Sequence, residues 1–334
     1  MKALVVGGGS IGRRHLRNLK GLGVEAAVAE SDRNRCEGLV AELGVRAFDF
    51  LEDGLRDSPD FVVVATPTHL HAEQTLAIVR AGIDVFVEKP LCHDDRLLSE
   101  LVDWSSRKGV VSLVGCNMRF HPGPAQVKAL LEKNCIGRVL FARVHAGSYL
   151  PSWRPGTDYR MNYAAKQETG GGCLLDFIHE IDLTRWYMGE VEEAFCMAGH
   201  LSSLEISTED VAAMIWRHSS GALSEIHVDY VQRSYERGCQ IVGERGTIFW
   251  DFMEKQVRWF DAGSETWTVF QQPESWEINQ MYLDEMRHFI DCIGTRKASV
   301  LPIAEAAVLM RIVLAAKESA RAGRSVAIER EAVS

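Results

Sequence analysis

Two short stretches of this sequence hold side chains whose types and spacing suit proton-transfer chemistry. The first is Glu88-Lys89-Pro90, which closes the apolar run 83–87. A proline restricts the backbone of the residue before it, so Lys89 is fixed at the end of a buried strand. A lysine held there donates a charge-assisted hydrogen bond to a ligand hydroxyl. The second is Cys173-Leu-Leu-Asp176-Phe-Ile-His179-Glu180-Ile-Asp182. Its pattern predicts a helix over about 174–188, with Asp176 and His179 three positions apart and so on one helical face. A carboxylate beside an imidazole orients the ring and tunes it as a general base. The same spacing also suits a capped or ion-paired structural helix, so both readings stand on spacing alone. No Cys or second His is placed to complete a zinc site, and no metal is expected.

The residues that would hold a cofactor lie upstream. Gly7-Gly8-Gly9-Ser10-Ile11-Gly12 fits G-x-G-x-x-G, directly after an apolar strand and directly before a helical pattern. Gly7 allows the tight turn, Gly9 lets the backbone approach a pyrophosphate, and Gly12 lets helix and strand pack. Backbone amides at Ser10 and Ile11 then face the phosphates. Glu30 ends the next strand, 18 residues past the last glycine (30 minus 12). An acid there accepts from the ribose hydroxyls and repels a 2′-phosphate, which favours NAD; Arg33 nearby keeps NADP open. A further turn, Ala65-Thr66-Pro67-Thr68-His69-Leu70-His71, follows the strand at 61–65. Ligands of such sheets sit at the carboxyl ends of the strands. Thr66, Pro67, His69, His71, Glu88 and Lys89 are therefore expected at the cofactor.

The elements that must position these groups can be read from periodicity. Near-continuous apolar runs at 3–6, 24–29, 61–65, 83–87 and 110–114 alternate with amphipathic stretches at 12–22, 34–43, 71–81 and 94–108. That succession means a doubly wound parallel sheet covered on both faces. After about residue 120 the pattern changes to a helix at 125–133, a loop-rich segment, the Asp-His helix, and mostly strands from 191 to 270 with short turns. Two helices, near 278–293 and 303–322, close the chain. The predicted fold is an α/β Rossmann domain over 1–120. An α+β domain with an open, mostly antiparallel sheet follows over 121–334.

These motifs, in this order, resemble the glucose–fructose oxidoreductase/inositol dehydrogenase (Gfo/Idh/MocA) family. Met118-Arg119-Phe120, Ile136-Gly137-Arg138-Val139 and Gly170-Gly171-Gly172 extend the resemblance over nearly the whole chain. It implies hydride transfer between a nicotinamide and a sugar or polyol carbon, with Lys89 near substrate and nicotinamide ribose and His179 as general base. The family usually carries Asp-x-Gly-x-His-x-x-Asp at the second constellation. Here Asp176 is one residue closer and the glycine is missing. The variant, with upstream Tyr149-Leu-Pro-Ser-Trp153-Arg-Pro-Gly-Thr-Asp-Tyr-Arg160, is similar to a subgroup linked to sialic-acid-like and surface-polysaccharide sugars. In that loop Trp153 and Tyr163 offer faces for a sugar ring, and Arg160, with Arg119, offers a grip on an anion. A sugar acid or nucleotide sugar is therefore one expected substrate. NAD-dependent glycosidase chemistry with a retained cofactor, and a non-catalytic dinucleotide sensor, are the alternatives.

Bulk properties narrow the remaining classes. Of 334 residues, 46% are hydrophobic and 25% charged, with a net charge of −9 that argues against nucleic acid or an anionic membrane as partner. No apolar run approaches the roughly 20 residues a membrane helix needs. The eight cysteines are scattered without a C-x-x-C pair, which fits reduced thiols in a cytoplasmic protein. An open sheet face needs covering, so a homodimer or homotetramer is expected.

Overall fold

The computed structural model of the protein describes residues 1–328. Its first part runs β1 (Lys2–Val6), α1 (Ser10–Gly21), β2 (Glu25–Ala29), α2 (Arg33–Leu43), β3 (Arg46–Phe48), α3 (Leu51–Arg56), β4 (Phe61–Val64), α4 (His71–Arg80), β5 (Asp84–Glu88), α5 (Leu98–Lys108) and β6 (Ser112–Gly115). The six strands form one parallel sheet in the order β3-β2-β1-β4-β5-β6. Every residue of β4, β5 and β6 is buried, which is why these strands read as near-continuous apolar runs. Asp32 caps α2 by accepting from the Arg35 amide, and Gly44 ends it in the left-handed conformation.

The chain continues with α6 (Pro122–Glu132), β7 (Val139–Gly147), α7 (Cys173–Asp176), α8 (Ile178–Met188), β8 (Val191–Gly199), β9 (Val211–His218), β10 (Leu223–Asp229), β11 (Glu236–Gly243), β12 (Gly246–Asp251), β13 (Gln256–Asp261) and β14 (Thr266–Gln271). It ends with α9 (Asn279–Thr295), α10 (Ile303–Ala322) and the short β15 (Val326–Ala327). The second sheet has the order β14-β13-β12-β11-β7-β10-β9-β8-β15, antiparallel except where β7 and β10 run parallel. One face of β7, β9 and β10 is buried and the other exposed at alternate residues. The fold class is the one the periodicity predicts.

Three local features differ from the sequence expectation. First, β3 and α3 were not legible, because β3 has only three residues, none of them buried. Second, the division is not a single cut at 120/121. One compact unit comprises Met1–Asn117 with Ile278–Met310; the other comprises Met118–Glu277 and the described chain from Arg311 to Ile328. The segment 278–310 returns to the parallel sheet for clear reasons. Phe289 of α9 packs edge-on to Phe61 and Phe86, at 5.5 and 5.8 Å between ring centres. The Leu301 carbonyl accepts from the Val114 amide, and the Ser299 hydroxyl donates to the Ser112 carbonyl, so the β6 edge is covered. Third, the helix expected over 174–188 is broken into α7 and α8 at Phe177, whose ψ of 32° leaves the helical range.

Candidate active site

In the first unit the glycine loop joins β1 to α1. A Cβ on Gly12 would stand 1.8 Å from the Gly7 carbonyl oxygen, so only glycine lets α1 start this close to its strand. Above Gly9 nothing lies within 4 Å, which leaves its backbone open to a ligand. Next to the loop is a cavity of about 610 Å³ lined by Gly8, Gly9, Ser10, Arg13, Arg14, Arg17, Asn18, Arg35 and Asn279. Arginines around amides at a helix start form an anion site, and a dinucleotide pyrophosphate fits that chemistry. Arg14 lies over the Tyr282 ring at 4.3 Å, which fixes one wall.

Glu30 is buried at the end of β2. Its carboxylate accepts from the Gly8 amide at 2.7 Å, the Asp32 amide at 2.8 Å and Arg35 Nη1 at 3.0 Å. It therefore organises the loop as well as standing where a ribose would bind. Arg33 is 90% exposed and pairs with Glu37, while Arg35 is the cation at Glu30.

The turns after β4 and β5 come next. The Thr66 hydroxyl donates to Gln74, and its methyl lies against Gly7, which sets the turn beside the glycine loop. Pro67 is exposed and His69 half-buried. His71 was expected at the cofactor, but it is buried with Nδ1 2.7 Å from the Pro90 carbonyl and Nε2 2.8 Å from the Thr66 carbonyl. Both nitrogens are occupied by backbone, so no edge of the ring faces a ligand. Burial pushes its imidazole below the ordinary histidine range, against the pull of those two carbonyls. Glu88 is likewise turned inward, 2.6 Å from His15 Nε2. Lys89 is half-buried between these two anchored neighbours.

In the second unit, Asp176 closes α7 and His179 sits in the first turn of α8, both almost fully buried. They belong to consecutive helical segments rather than one helix face. The break has a physical cause: the Phe177 ring packs against both Trp153 and Tyr230, each at 5.9 Å. The Asp176 carboxylate accepts from the Tyr163 hydroxyl at 2.7 Å and from the buried Tyr230 hydroxyl. Burial, with Asp176 beside it, pushes the Tyr230 phenol well up, so it stays a donor.

α8 carries charge around a buried circumference, and each charge has a partner. Arg119 donates through Nε to Asp182 Oδ2 at 2.8 Å and through Nη2 to Oδ1 at 2.7 Å. Arg237 Nε is 2.8 Å from Glu180 Oε1. Arg185 Nη2 donates to Glu190 at 2.7 Å. Arg119 thus spends its fork on Asp182, not on an external anion. Arg160 is half-exposed and bound to Asp158 through both carboxylate oxygens and to Glu205 at 2.7 Å. Trp153 Nε1 donates to the Ser148 hydroxyl and its ring meets Tyr230 edge-on. Of the four residues expected at the substrate, Tyr163 shares a hydrogen bond with the Asp-His pair's carboxylate.

Several residues here were not read from the sequence: His15, Tyr230, and the arginines at 13, 14, 17 and 35. The run Arg13-Arg14-His15 with Arg17 directly follows the third glycine at helical spacing, and that signal was available. Tyr230 carried none, since its partner lies 54 residues away. Among the described residues no cluster of three or more His, Cys, Asp or Glu could hold a metal.

Comparison with known proteins agrees with this fold. Residues 1–116 match the family described as oxidoreductases with an NAD-binding Rossmann fold, and residues 125–249 match the GFO/IDH/MocA C-terminal domain. The myo-inositol 2-dehydrogenase of Thermotoga maritima is 28% identical over 98% of this chain and 99% of its own length. Inositol 2-dehydrogenase 3 of Saccharopolyspora erythraea is 30% identical over 73% of this chain and 71% of that protein. Levoglucosan dehydrogenase in complex with NADH shares the fold, with a TM-score of 0.91 at 20% identity over 99% and 100% of the two chains.

Proposed function

This chain belongs to the GFO/IDH/MocA family of NAD-binding oxidoreductases, and from that premise we propose that it oxidises a hydroxyl carbon of a neutral cyclic polyol or sugar with NAD. The observation that carries the choice of a neutral substrate is the pairing of the arginines packed around α8. Arg119, Arg185 and Arg237 are each engaged by a carboxylate of the same unit. The inositol dehydrogenases among its relatives support the same class.

When bound, NAD supplies the hydride acceptor. Gly9, Ser10 and Ile11 would hold its pyrophosphate and Glu30 its ribose, with Thr66, Pro67 and His69 contributing at the neighbouring turn. Lys89 donates a hydrogen bond to the reacting hydroxyl oxygen and stabilises charge developing there. His179 takes the proton from that hydroxyl. Asp176, held by two phenol hydroxyls, orients the basic side of the site, and Tyr163 reaches the substrate from the same cluster. Glu88 and His71 act from behind the cofactor-facing turn, and Arg119 acts by fixing α8.

The test is net NADH formation by the purified protein with NAD and a panel of inositols and neutral pyranoses, set beside sugar acids and nucleotide sugars. A neutral polyol should give the signal, and Lys89→Met and His179→Ala should each lower kcat by about 100-fold or more. Absence of net NADH with every neutral compound, or unchanged turnover in both variants, overturns the reading. Turnover without net NADH would identify the retained-cofactor glycosidase reaction, and NADH binding without turnover a sensor. A sugar acid as substrate, with KM raised by Arg160→Ala, would restore the anionic reading.

The proposal includes self-association through the open sheet. Met197, Ile215, Leu223, Trp267 and Val269 are exposed large apolar residues on its strands. A homodimer or homotetramer by light scattering is the expected result. No described helix is long and apolar enough to cross a membrane. The cytoplasmic placement stays part of this reading, on the eight free thiols.

A further inference from the structure

We infer that two buried histidines, His15 and His71, clamp the Glu88-Lys89-Pro90 turn from its two sides and serve as positioning residues for the Lys89 ammonium. The inference rests on the proposed role of Lys89. His15 belongs to α1, whose first residues form the glycine loop. His71 opens α4, directly after the Thr66–His69 turn. His15 is fully buried, with Nε2 2.6 Å from Glu88 Oε1. His71 Nδ1 is 2.7 Å from the Pro90 carbonyl and its Nε2 is 2.8 Å from the Thr66 carbonyl. The residues on each side of Lys89 are therefore each tied to a different helix, while Lys89 itself is half-buried.

Packing alone gives no reason for histidine at either place. The His15 ring lies edge-on to Phe86 at 5.1 Å, and its Nδ1 has no hydrogen-bond partner among the described residues. A leucine there would fill similar space without burying an orphaned polar atom. What a leucine would lose is the hold on Glu88. His71 faces an acceptor at both nitrogens, and a neutral imidazole has one N–H. The ring stands between two backbone carbonyls, one in each turn, and with its proton on Nδ1 it donates to Pro90, as no apolar residue can. Two buried imidazoles that both point at one three-residue turn make sense as a device that fixes where the side chain between them sits. Displacing a reacting group by about 1 Å costs on the order of 100-fold in rate.

The test uses the two nitrogens separately. Asparagine places its N–H group near Nδ1 and glutamine near Nε2. His71→Asn keeps the Pro90 contact, and His71→Gln keeps only the Thr66 contact. His15→Gln keeps the Glu88 contact, and His15→Leu removes it. The full-length protein is methylated reductively with 13C-formaldehyde, and the Lys89 dimethylamine resonance is assigned by its loss in Lys89→Arg. In the wild type this resonance should stand apart from those of exposed lysines and be broader. His71→Gln and His15→Leu should move it to the exposed-lysine position; His71→Asn and His15→Gln should hold it near the wild-type position. A resonance unmoved in His71→Gln and in His15→Leu overturns the clamp. So does one that moves equally in the conservative and disruptive variants of each pair. Near-UV circular dichroism confirms folding, and where one histidine's variants do not fold the other pair decides. This readout involves no turnover. If Lys89→Met leaves net NADH formation intact, the catalytic reading fails while the clamp still stands or falls on its own signal. With Lys89 catalytic, His71→Gln should also lower kcat about 10- to 100-fold, leave NADH affinity unchanged, and add nothing further in the Lys89→Met background.

Discussion

Replacing Arg237 by methionine tests whether buried charge anchors α8, and His179 with it. Arg237 Nε is 2.8 Å from Glu180 Oε1, and the two side chains are 11% and 1% exposed. Nη2 also donates to Oε2, at 3.3 Å. Neither group is screened by solvent. The pair as a whole contributes little net stability, because desolvating two charges offsets most of their attraction. Removing one partner is different: it strands the other charge in the interior, at about 3–5 kcal/mol. A domain of 150–250 residues loses roughly 2–4 °C of Tm per kcal/mol, so Arg237→Met should lower the melting of the second unit by roughly 6–20 °C. Glu180→Met should do the same. The double variant, with two methionines in place of the pair, should recover most of the loss. Thermal melts of the four proteins followed by near-UV circular dichroism give the cycle. If either single variant shifts Tm by less than about 2 °C, or the double variant melts at the sum of the two losses, α8 is not held by this pair.

Three further outcomes follow from individual residues. Gly12→Ala would put a Cβ 1.8 Å from the Gly7 carbonyl oxygen; NADH affinity by fluorescence titration should fall about tenfold or more, and an unchanged affinity would contradict the cradle. Tyr230→Phe removes a buried hydroxyl from Asp176; stability should fall by about 1.5–3 kcal/mol in urea denaturation, with kcat lowered and NADH affinity kept, whereas an unaltered midpoint would show the contact to be idle. The third concerns pH. Burial, then the nearby Arg237, lowers the His121 pKa to about 4, whereas the unfolded side chain titrates near 6.5. Between those values the unfolded chain binds more protons, so this stability is complete above about pH 6.5 and is lost as pH falls toward about 4. Tm should decline through that window more steeply in the wild type than in His121→Phe, and parallel profiles would refute the assignment.

The sequence made some of this molecule legible because certain side chains have no other physical use. A glycine between a buried strand and a helix start, an acid at the next strand end, and near-continuous apolar strands give a parallel sheet with a dinucleotide loop. The break at Phe177 was not legible. Local periodicity around Asp176 and His179 favours one continuous helix, and what overrides it is the packing of Phe177 against Trp153 and Tyr230, residues distant in sequence. The return of 278–310 to the first unit was hidden for the same reason: the pairing of Phe289 with Phe61 and Phe86 carries no local signature. Individual roles were least legible where a polar residue has two uses. His71 and Glu88 have the right types and positions to face a cofactor, and they serve the turn from behind instead.

The same distinction decides between substrate classes. An anion drawn to Arg119 would have to take its guanidinium from Asp182, which is 1% exposed. Stranding that carboxylate costs about 3–5 kcal/mol, while a hydrogen bond to a charged group returns about 1.5–3 kcal/mol. The exchange is unfavourable, so Arg119 stays with α8. Arg160 is another matter. Its partners Asp158 and Glu205 are exposed, and such pairs hold by about 0–1 kcal/mol, so it can be recruited at little cost. Any preference for an acidic sugar therefore has to come through Arg160 and not through the buried arginines. A polyol without charge needs neither, and it leaves every ion pair around His179 as the fold has set it.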